Sequence, residues 1–239
     1  MKETDAIFEH LSQVHAQAQA DPSVLRLSMD SKAAVKVGPF SRHGQTRLPL
    51  QAADHDFKPQ EVLNPFGIFL PDQHETYLYF TTSPVTADFM VDCLRDYWLL
   101  VRHSFPLVKT LLLNLDNGPE NHSRRTQFMA RLTELADEFG LTVELAYYPP
   151  YHSKYNPIER VWGVLEQHWN GDLLDSRQTA LRLASTMTYN CVSPVVKFID
   201  KAYQTGVHLS QQAMKVLEER LLRLPALPKW FLRIVPHQL

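Results

Sequence analysis

The sequence has few cysteines, no excess of basic residues and no long hydrophobic segment. Its 239 residues contain two cysteines, Cys93 and Cys191, and no CxxC pair, which excludes a disulfide framework and a cysteine-based zinc site. The N-terminus lacks the apolar region of a signal peptide, and the longest aliphatic run, at 111–113, is far too short to span a bilayer. These absences predict a protein of the reducing cytoplasm with no membrane partner.

The charge balance is close to neutral. Lys and Arg total 24, Asp and Glu total 26, and the formal net charge is −2. A dedicated nucleic-acid-binding module usually carries a clear basic excess, so the balance by itself argues against one. The charge is uneven, however, because residues 61–199 hold 11 basic against 16 acidic side chains and residues 200–239 hold six against three. An acidic centre suits a cation site, although solvated surface charge produces the same pattern.

The hydrophobic pattern predicts an α/β fold. Residues 4–19 have the period of a short amphipathic helix, and residues 24–30 alternate as a strand that ends in an acid, whereas residues 31–65 indicate no regular element. The remaining elements alternate between strand and helix: a hairpin at 66–82, a helix capped by Ser83, a buried strand at 110–116, a helix at 123–139, a strand at 142–147, a helix that begins at Asn156-Pro157, and helices at 176–190 and 210–224.

Three acids occupy positions that would bring them together. Asp30 and Asp116 end two predicted strands, and Glu159 lies in the first turn of a helix that follows a third strand. If the two strands are neighbours, their carboxylates converge, and three hard oxygen ligands suit Mg²⁺ or Mn²⁺. Two such ions can activate a water or hydroxyl and stabilise the leaving oxygen in an in-line phosphoryl displacement.

Each acid also has a local interpretation. Asp116 and Asp30 both precede turn-forming residues and suit acids that cap their own backbone. Glu159 lies three residues after Asn156, which is the spacing of a capping-box glutamate. Spacing alone therefore favours local roles and leaves the metal site as the less favoured hypothesis.

Six short motifs follow one another along the chain. They are Ser28-Met29-Asp30-Ser31-Lys32, His55-Asp56-Phe57, Gly67-Ile68, Leu115-Asp116-Asn117-Gly118, Tyr148-Pro149-Pro150 and Asn156-Pro157-Ile158-Glu159. In this order they resemble an insertion-sequence transposase of the DDE type, with the Rhodopirellula-type DDE domain family as the nearest match. The resemblance extends from Thr4 to Met214, and its most specific part is the double-proline loop followed by Asn-Pro-Ile-Glu.

The resemblance implies a ribonuclease-H-like fold of the α/β class, with a mixed sheet flanked by helices and a C-terminal helical extension. We accordingly expect a helical lead-in at 1–23, a catalytic core at 24–170 and the extension at 171–239. The resemblance further implies that Asp30, Asp116 and Glu159 are the catalytic acids and hold two Mg²⁺ or Mn²⁺ ions. The implied reaction is hydrolytic nicking at a transposon end, followed by attack of the freed 3′-hydroxyl on target DNA.

The family carries a helix-turn-helix region ahead of its catalytic domain, whereas this chain begins shortly before Asp30. We therefore expect a truncated transposase, or one whose recognition of transposon ends is supplied by a separate DNA-binding chain, and a homodimer is a further alternative. His55 and Asp56 suit a supporting role or a simple turn. The candidate contacts to DNA phosphates lie close to the acids in sequence, although solvated side chains need no such role: Lys154, His152, Arg124 and Arg125.

Two rival functions stay open. A ribonuclease-H-like nuclease would cleave DNA without strand transfer. An inactive transposase remnant would keep the acids and act as a folded interaction module. A transposase joins a pre-cleaved transposon end to a plasmid, whereas a nuclease does not. The absence of any metal-dependent cleavage indicates an inactive remnant.

Overall fold

The computed structural model describes residues 2–42, 52–53 and 58–237. Nine strands in this part of the chain form one mixed sheet. The strands are β1 (Val24–Ser31), β2 (Val35–Val37), β3 (Glu61–Leu70), β4 (Glu75–Thr81), β5 (Thr110–Leu115), β6 (Thr142–Tyr147), β7 (Val195–Phe198), β8 (Leu221–Arg223) and β9 (Phe231–Ile234). The α-helices are α1 (Lys2–Ala20), α2 (Ala87–Val101), α3 (Thr126–Phe139), α4 (Ile158–Trp169), α5 (Arg177–Thr186) and α6 (Gln211–Glu218).

The order of strands confirms the predicted mixed sheet. It runs β7-β4-β3-β1-β5-β6-β9-β8, and β2 pairs with β3 beside this path. β1, β5 and β6 are parallel neighbours at the centre, while β3 is antiparallel to both β1 and β4. Every residue of β5 is buried. This burial explains its run of leucines at 111–113, because helices cover both faces of a central parallel strand.

Two hydrophobic clusters attach the helices to the sheet. The larger joins α1, α2, α3 and α6 to the central strands, and the smaller joins α4 and α5 to β2, β3 and β4. Trp162 and Trp169 lie in the smaller cluster and are 4% and 0% exposed. No helix among the described residues is long and apolar enough to cross a membrane.

The C-terminal part differs from the expectation of helices alone. Its helices α5 and α6 are shorter than predicted, and it adds three strands to the sheet: β7 pairs with β4 at one edge, while β9 and β8 extend the sheet beyond β6. These strands have four residues or fewer. Such short runs carry too few alternations to be distinguished from loops, so their pairing partners determine their structure.

The predicted cap of α2 is wrong. Thr86, not Ser83, precedes the helix, and its hydroxyl accepts a hydrogen bond from the amide of Phe89 at 3.2 Å. Ser83 instead accepts one from the amide of Tyr203 at 2.8 Å and so ties the start of α2 to the C-terminal segment. Serine and threonine are both common N-cap residues. The hydroxyl of Ser83 is engaged by Tyr203, and Thr86 is the residue that caps α2.

Helix α1 connects the first residues to the last strand and to the loop that follows β6. Glu3 accepts a hydrogen bond from the indole of Trp230 at 2.9 Å, across 227 residues of sequence. The ring of Phe8 meets the rings of His152 and Tyr155 edge-on, with centroids 5.4 and 5.1 Å away. The helix is therefore part of the packed domain and contacts the loop that leads to α4.

His15 on α1 makes the fold sensitive to acid. Burial, and then the charge of Arg26, lower the pKa of His15 from 6.5 to about 4. Between these values the unfolded chain binds more protons than the folded one, so stability is lost as the pH falls below about 6.5. We expect the free energy of unfolding to drop by about 1–2 kcal/mol from this group between pH 7 and pH 5, allowing for partial exposure.

Urea unfolding at the two pH values measures this change. His15→Gln should lose less stability than the wild type on going to pH 5, whereas His103→Gln, at an exposed position after α2, should behave as the wild type. Equal pH dependence in all three proteins would contradict the assignment to His15.

Candidate active site

The sheet brings Asp30 and Asp116 to the same edge. β1 and β5 run side by side in parallel, and Ser28 pairs with Asn114, each of which lies two residues before its acid. The expectation that these two strands are neighbours is therefore confirmed. Asp30 is only 6% exposed, and Asp116 is partly buried just beyond the last residue of β5.

The loop after β5 holds one oxygen of Asp116. Its Oδ1 accepts hydrogen bonds from the amide of Gly118 at 3.1 Å and from Nδ2 of Asn121 at 2.9 Å. A Cβ at Gly118 would lie 3.3 Å from both carboxylate oxygens, a tight contact that would press on the carboxylate. The turn interpretation of Asp116 is thus correct for Oδ1, while Oδ2 has no hydrogen-bond partner among the described residues.

The predicted capping box at Glu159 is wrong. Pro157 directly precedes α4 and provides no side-chain cap, while the amide of Asn156 donates to the carbonyl of Ser153 at 2.7 Å. Glu159 is partly exposed, and its amide donates to the carbonyl of Asn156 at 3.0 Å, while its side chain makes no hydrogen bond or ion pair within the described part of the chain. It lines a shallow cleft of about 460 Å³ together with Ser153, Lys154 and Arg160.

Asp30 lies within electrostatic reach of the other two acids. Burial, followed by the negative charges of Asp116 and Glu159, raises the pKa of Asp30 to about 8. The amide of Ser31, which donates to Asp30 Oδ1 at 2.7 Å, and the indole of Trp162 lower it again in part. A buried carboxylate among like charges is costly unless a cation accompanies it, so this position is suited to a positively charged ligand.

The donor atoms fit a hard divalent cation, although the acids do not form a complete ligand set by themselves. No group of three or more His, Cys, Asp or Glu side chains in the described ranges is arranged to hold a metal ion. Beside Asp116, however, the side-chain oxygens of Asn117 and Asn121 are buried and have no partner in the described structure. Carboxylate oxygens, amide oxygens and water are the ligands of Mg²⁺ and Mn²⁺.

The four predicted DNA contacts lie in different surroundings. Lys154 is exposed and shares the cleft with Glu159, while His152 stacks on Tyr155 with its Nδ1 2.7 Å from the carbonyl oxygen of Pro150. Arg124 is exposed at the surface. Arg125 forms an ion pair with Glu120 at 3.0 Å, which binds its guanidinium to the protein itself.

Sequence reasoning missed several residues that surround the acids. Asn121 holds Asp116, Trp162 lies beside Asp30, and Arg160 lines the cleft of Glu159. Arg160 adjoins the acid in sequence and was the easiest to find, whereas Asn121 and Trp162 become neighbours only through folding. His55 and Asp56 lie outside the described residues.

Comparison with known proteins decides the family. A family model for the Rhodopirellula transposase DDE domain matches residues 1–236. The chain belongs to this DDE transposase family. The resemblance seen in the motifs is thereby confirmed, while no curated protein matches the chain at a significant level.

Solved transposases have a similar fold. The Mos1 transposase paired-end complex with the left transposon end matches with a TM-score of 0.52 and 13% identity over 75% of this chain and 51% of that chain. The Mos1 mariner paired-end complex with Mn matches with a TM-score of 0.49 and 11% identity over 75% and 52%. The first match confirms the ribonuclease-H-like fold of this DDE domain, which spans about half the length of these transposases.

Proposed function

We propose that this DDE domain catalyses metal-dependent cleavage of DNA strands and their transfer at the ends of an insertion sequence. Asp30, Asp116 and Glu159 are the catalytic residues and, with water, hold two Mg²⁺ or Mn²⁺ ions. The observation that carries the proposal is the parallel pairing of β1 with β5, because Asp30 and Asp116 lie at the same edge of the sheet as a result. The negative charge of Glu159 also contributes to the raised pKa of Asp30.

The protein's own residues orient the acids. Asn121 and Gly118 fix one oxygen of Asp116, and the amide of Ser31 fixes one oxygen of Asp30. Preorganised groups of this kind need not rearrange during a phosphoryl displacement. When bound, the ions supply polarisation of the phosphate and activation of the attacking water or 3′-hydroxyl.

DNA is the proposed substrate and partner. Lys154 and Arg160 line the same cleft as Glu159 and place positive charge beside this acid. Such side chains can bind the negatively charged phosphodiester groups of DNA. His152 and Arg124 are further candidate contacts, while Arg125 contributes chiefly to the start of α3 through Glu120. The Mos1 complex with a transposon end supports this choice of substrate by analogy of fold. The proposal includes alternative arrangements for recognising the transposon ends: a homodimer, a truncated transposase or a separate DNA-binding chain.

A cleavage and joining assay tests the proposal. The purified chain is incubated with DNA that flanks its gene, as an intact duplex and as a pre-cleaved end, together with a supercoiled plasmid and Mg²⁺ or Mn²⁺ at low salt, where backbone contacts are strongest. We expect metal-dependent nicks and joined product from the wild type, and neither from Asp116→Asn, because that change removes a metal-binding charge.

The outcomes separate the alternatives. Nicks without joined product would indicate a ribonuclease-H-like nuclease and contradict strand transfer. Neither nicks nor joining from a folded wild-type chain would indicate an inactive transposase remnant that acts as an interaction module.

A further inference from the structure

A buried set of hydrogen bonds links β1 to the start of α4. Ser28 on β1 and Asn156 before α4 are both completely buried. The hydroxyl of Ser28 donates to Oδ1 of Asn156 at 2.5 Å, and Nδ2 of Asn156 donates to the carbonyl of Met29 at 3.1 Å. The hydroxyl also accepts from the amide of Ile158 at 3.0 Å. We call these three bonds the Ser28–Asn156 bracket.

The bracket ends one residue before each of two acids. Met29 precedes Asp30, and Ile158 precedes Glu159. Among the described residues, no other side chain bonds to the backbone of β1 or α4 from across this junction. The bracket therefore joins the two segments at the residues that directly precede the first and third acids.

The bracket also replaces the missing cap of α4. The first amides of a helix have no partner within the helix, and Pro157 supplies no side-chain acceptor. Ser28, from another element of the fold, accepts from the amide of Ile158 instead. The helix thus begins at a place that β1 fixes, and Glu159 lies in its first turn.

Separating Glu159 from Asp30 requires α4 to move away from β1, and the bracket must open when it does. Hydrogen bonds between uncharged, fully buried groups resist this separation, because opening them would leave buried donors and acceptors unpaired.

We infer that Asn156 and Ser28 are positioning residues that set the distance between Glu159 and Asp30 and thereby the affinity of the site for divalent cations. The inference rests on the proposed function of the three acids. Residues that orient metal ligands through hydrogen bonds typically change metal affinity or activity by about 10–100-fold when they are removed.

The inference is tested by Mn²⁺ binding, measured by electron paramagnetic resonance on the full chain. Thermal unfolding in EDTA and metal-dependent cleavage are measured on the same proteins. We expect Asn156→Ala and Ser28→Ala each to raise the dissociation constant for Mn²⁺ about tenfold or more. The double variant should be little weaker than either single variant, because both belong to one network. Ser28→Thr, which keeps the hydroxyl, should recover most of the affinity.

A matched control separates positioning from general loss of stability. Ser176 also accepts a hydrogen bond from an amide in the first turn of a helix, that of Thr179 in α5 at 3.2 Å, and it belongs to neither β1 nor α4. Ser176→Ala should lower the unfolding temperature as Ser28→Ala does and leave Mn²⁺ affinity unchanged.

The remaining outcomes overturn the inference. Unchanged Mn²⁺ affinity in folded Ser28→Ala, or an equal loss in Ser176→Ala, would reduce the bracket to a structural role even if the wild type cleaves DNA. If Asn156→Ala does not fold, Ser28→Ala and Ser28→Thr decide the result. Absence of Mn²⁺ binding and cleavage in the wild type would instead refute the proposed function, and the inference with it.

Discussion

Asp30→Asn is expected to lower the rates of DNA cleavage and joining at least about a thousandfold, which corresponds to roughly 4 kcal/mol of transition-state stabilisation. Asp30 lies at the centre of the proposed site, with Asp116 beside it and Glu159 acting on it. An amide of the same shape keeps one oxygen but loses the charge that attracts a divalent cation. Because the pKa of Asp30 is raised to about 8, the metal-free carboxyl is mostly uncharged at pH 7, and the variant, whose amide is also uncharged, should be no less stable than the wild type in EDTA.

Cleavage assays in Mg²⁺ and thermal unfolding in EDTA check the two halves of this prediction. Asp72→Asn is the matched control, because Asp72 is an exposed acid in the turn between β3 and β4. It should retain full activity. Cleavage by Asp30→Asn within about tenfold of the wild-type rate, well short of the loss expected for a catalytic group, would exclude Asp30 from the catalytic set.

Gly67→Ala is expected to destabilise the domain by about 1–3 kcal/mol and to reduce cleavage strongly. Gly67 pairs with Asp30 across β3 and β1, and α4 packs directly on it. A Cβ there would lie 2.5 Å from the terminal methyl of Ile158 and 2.8 Å from the ring of Trp162. The methyl of Ile158 can turn away, but the indole cannot, so α4 must shift and carry Glu159 with it.

Gly163→Ala is the control within the same helix. A Cβ at Gly163 would meet no atom within 4 Å, and alanine favours the helix, so this variant should gain about 0.5–1 kcal/mol. Chemical denaturation measures both changes, and the cleavage assay compares both activities. A Gly67→Ala variant as stable and as active as the wild type would show that α4 does not depend on this close approach.

The sequence predicts well the elements that have a long hydrophobic period. The strands at 110–116 and 142–147 and the helix at 123–139 are observed as β5, β6 and α3, with small differences at their ends. Each buries a regular set of apolar side chains, so local pattern and tertiary packing agree. The same regularity located Asp116 at the end of its strand.

Residues whose partners are distant in sequence could not be predicted in this way. Asn156 has the type and position of a helix cap, yet its amide side chain forms hydrogen bonds with Met29 and Ser28 on β1. Arg125 looks free beside Asp116, and its ion pair with Glu120 appears only when the loop folds. Local propensities cannot decide such cases, because the competing bond belongs to tertiary structure.

The hydrogen bond between Glu3 and Trp230 has a consequence for synthesis of the protein. The first helix acquires this partner only after Trp230 has left the ribosome, and β7 and β9 likewise pair with strands that are synthesised much earlier, β4 and β6. Contacts so far apart in sequence are slow to form, because the intervening chain must first be closed into a loop. We therefore expect the contact of α1 with Trp230 and the pairing of β9 with β6 to form only after β9 (Phe231–Ile234) has been synthesised.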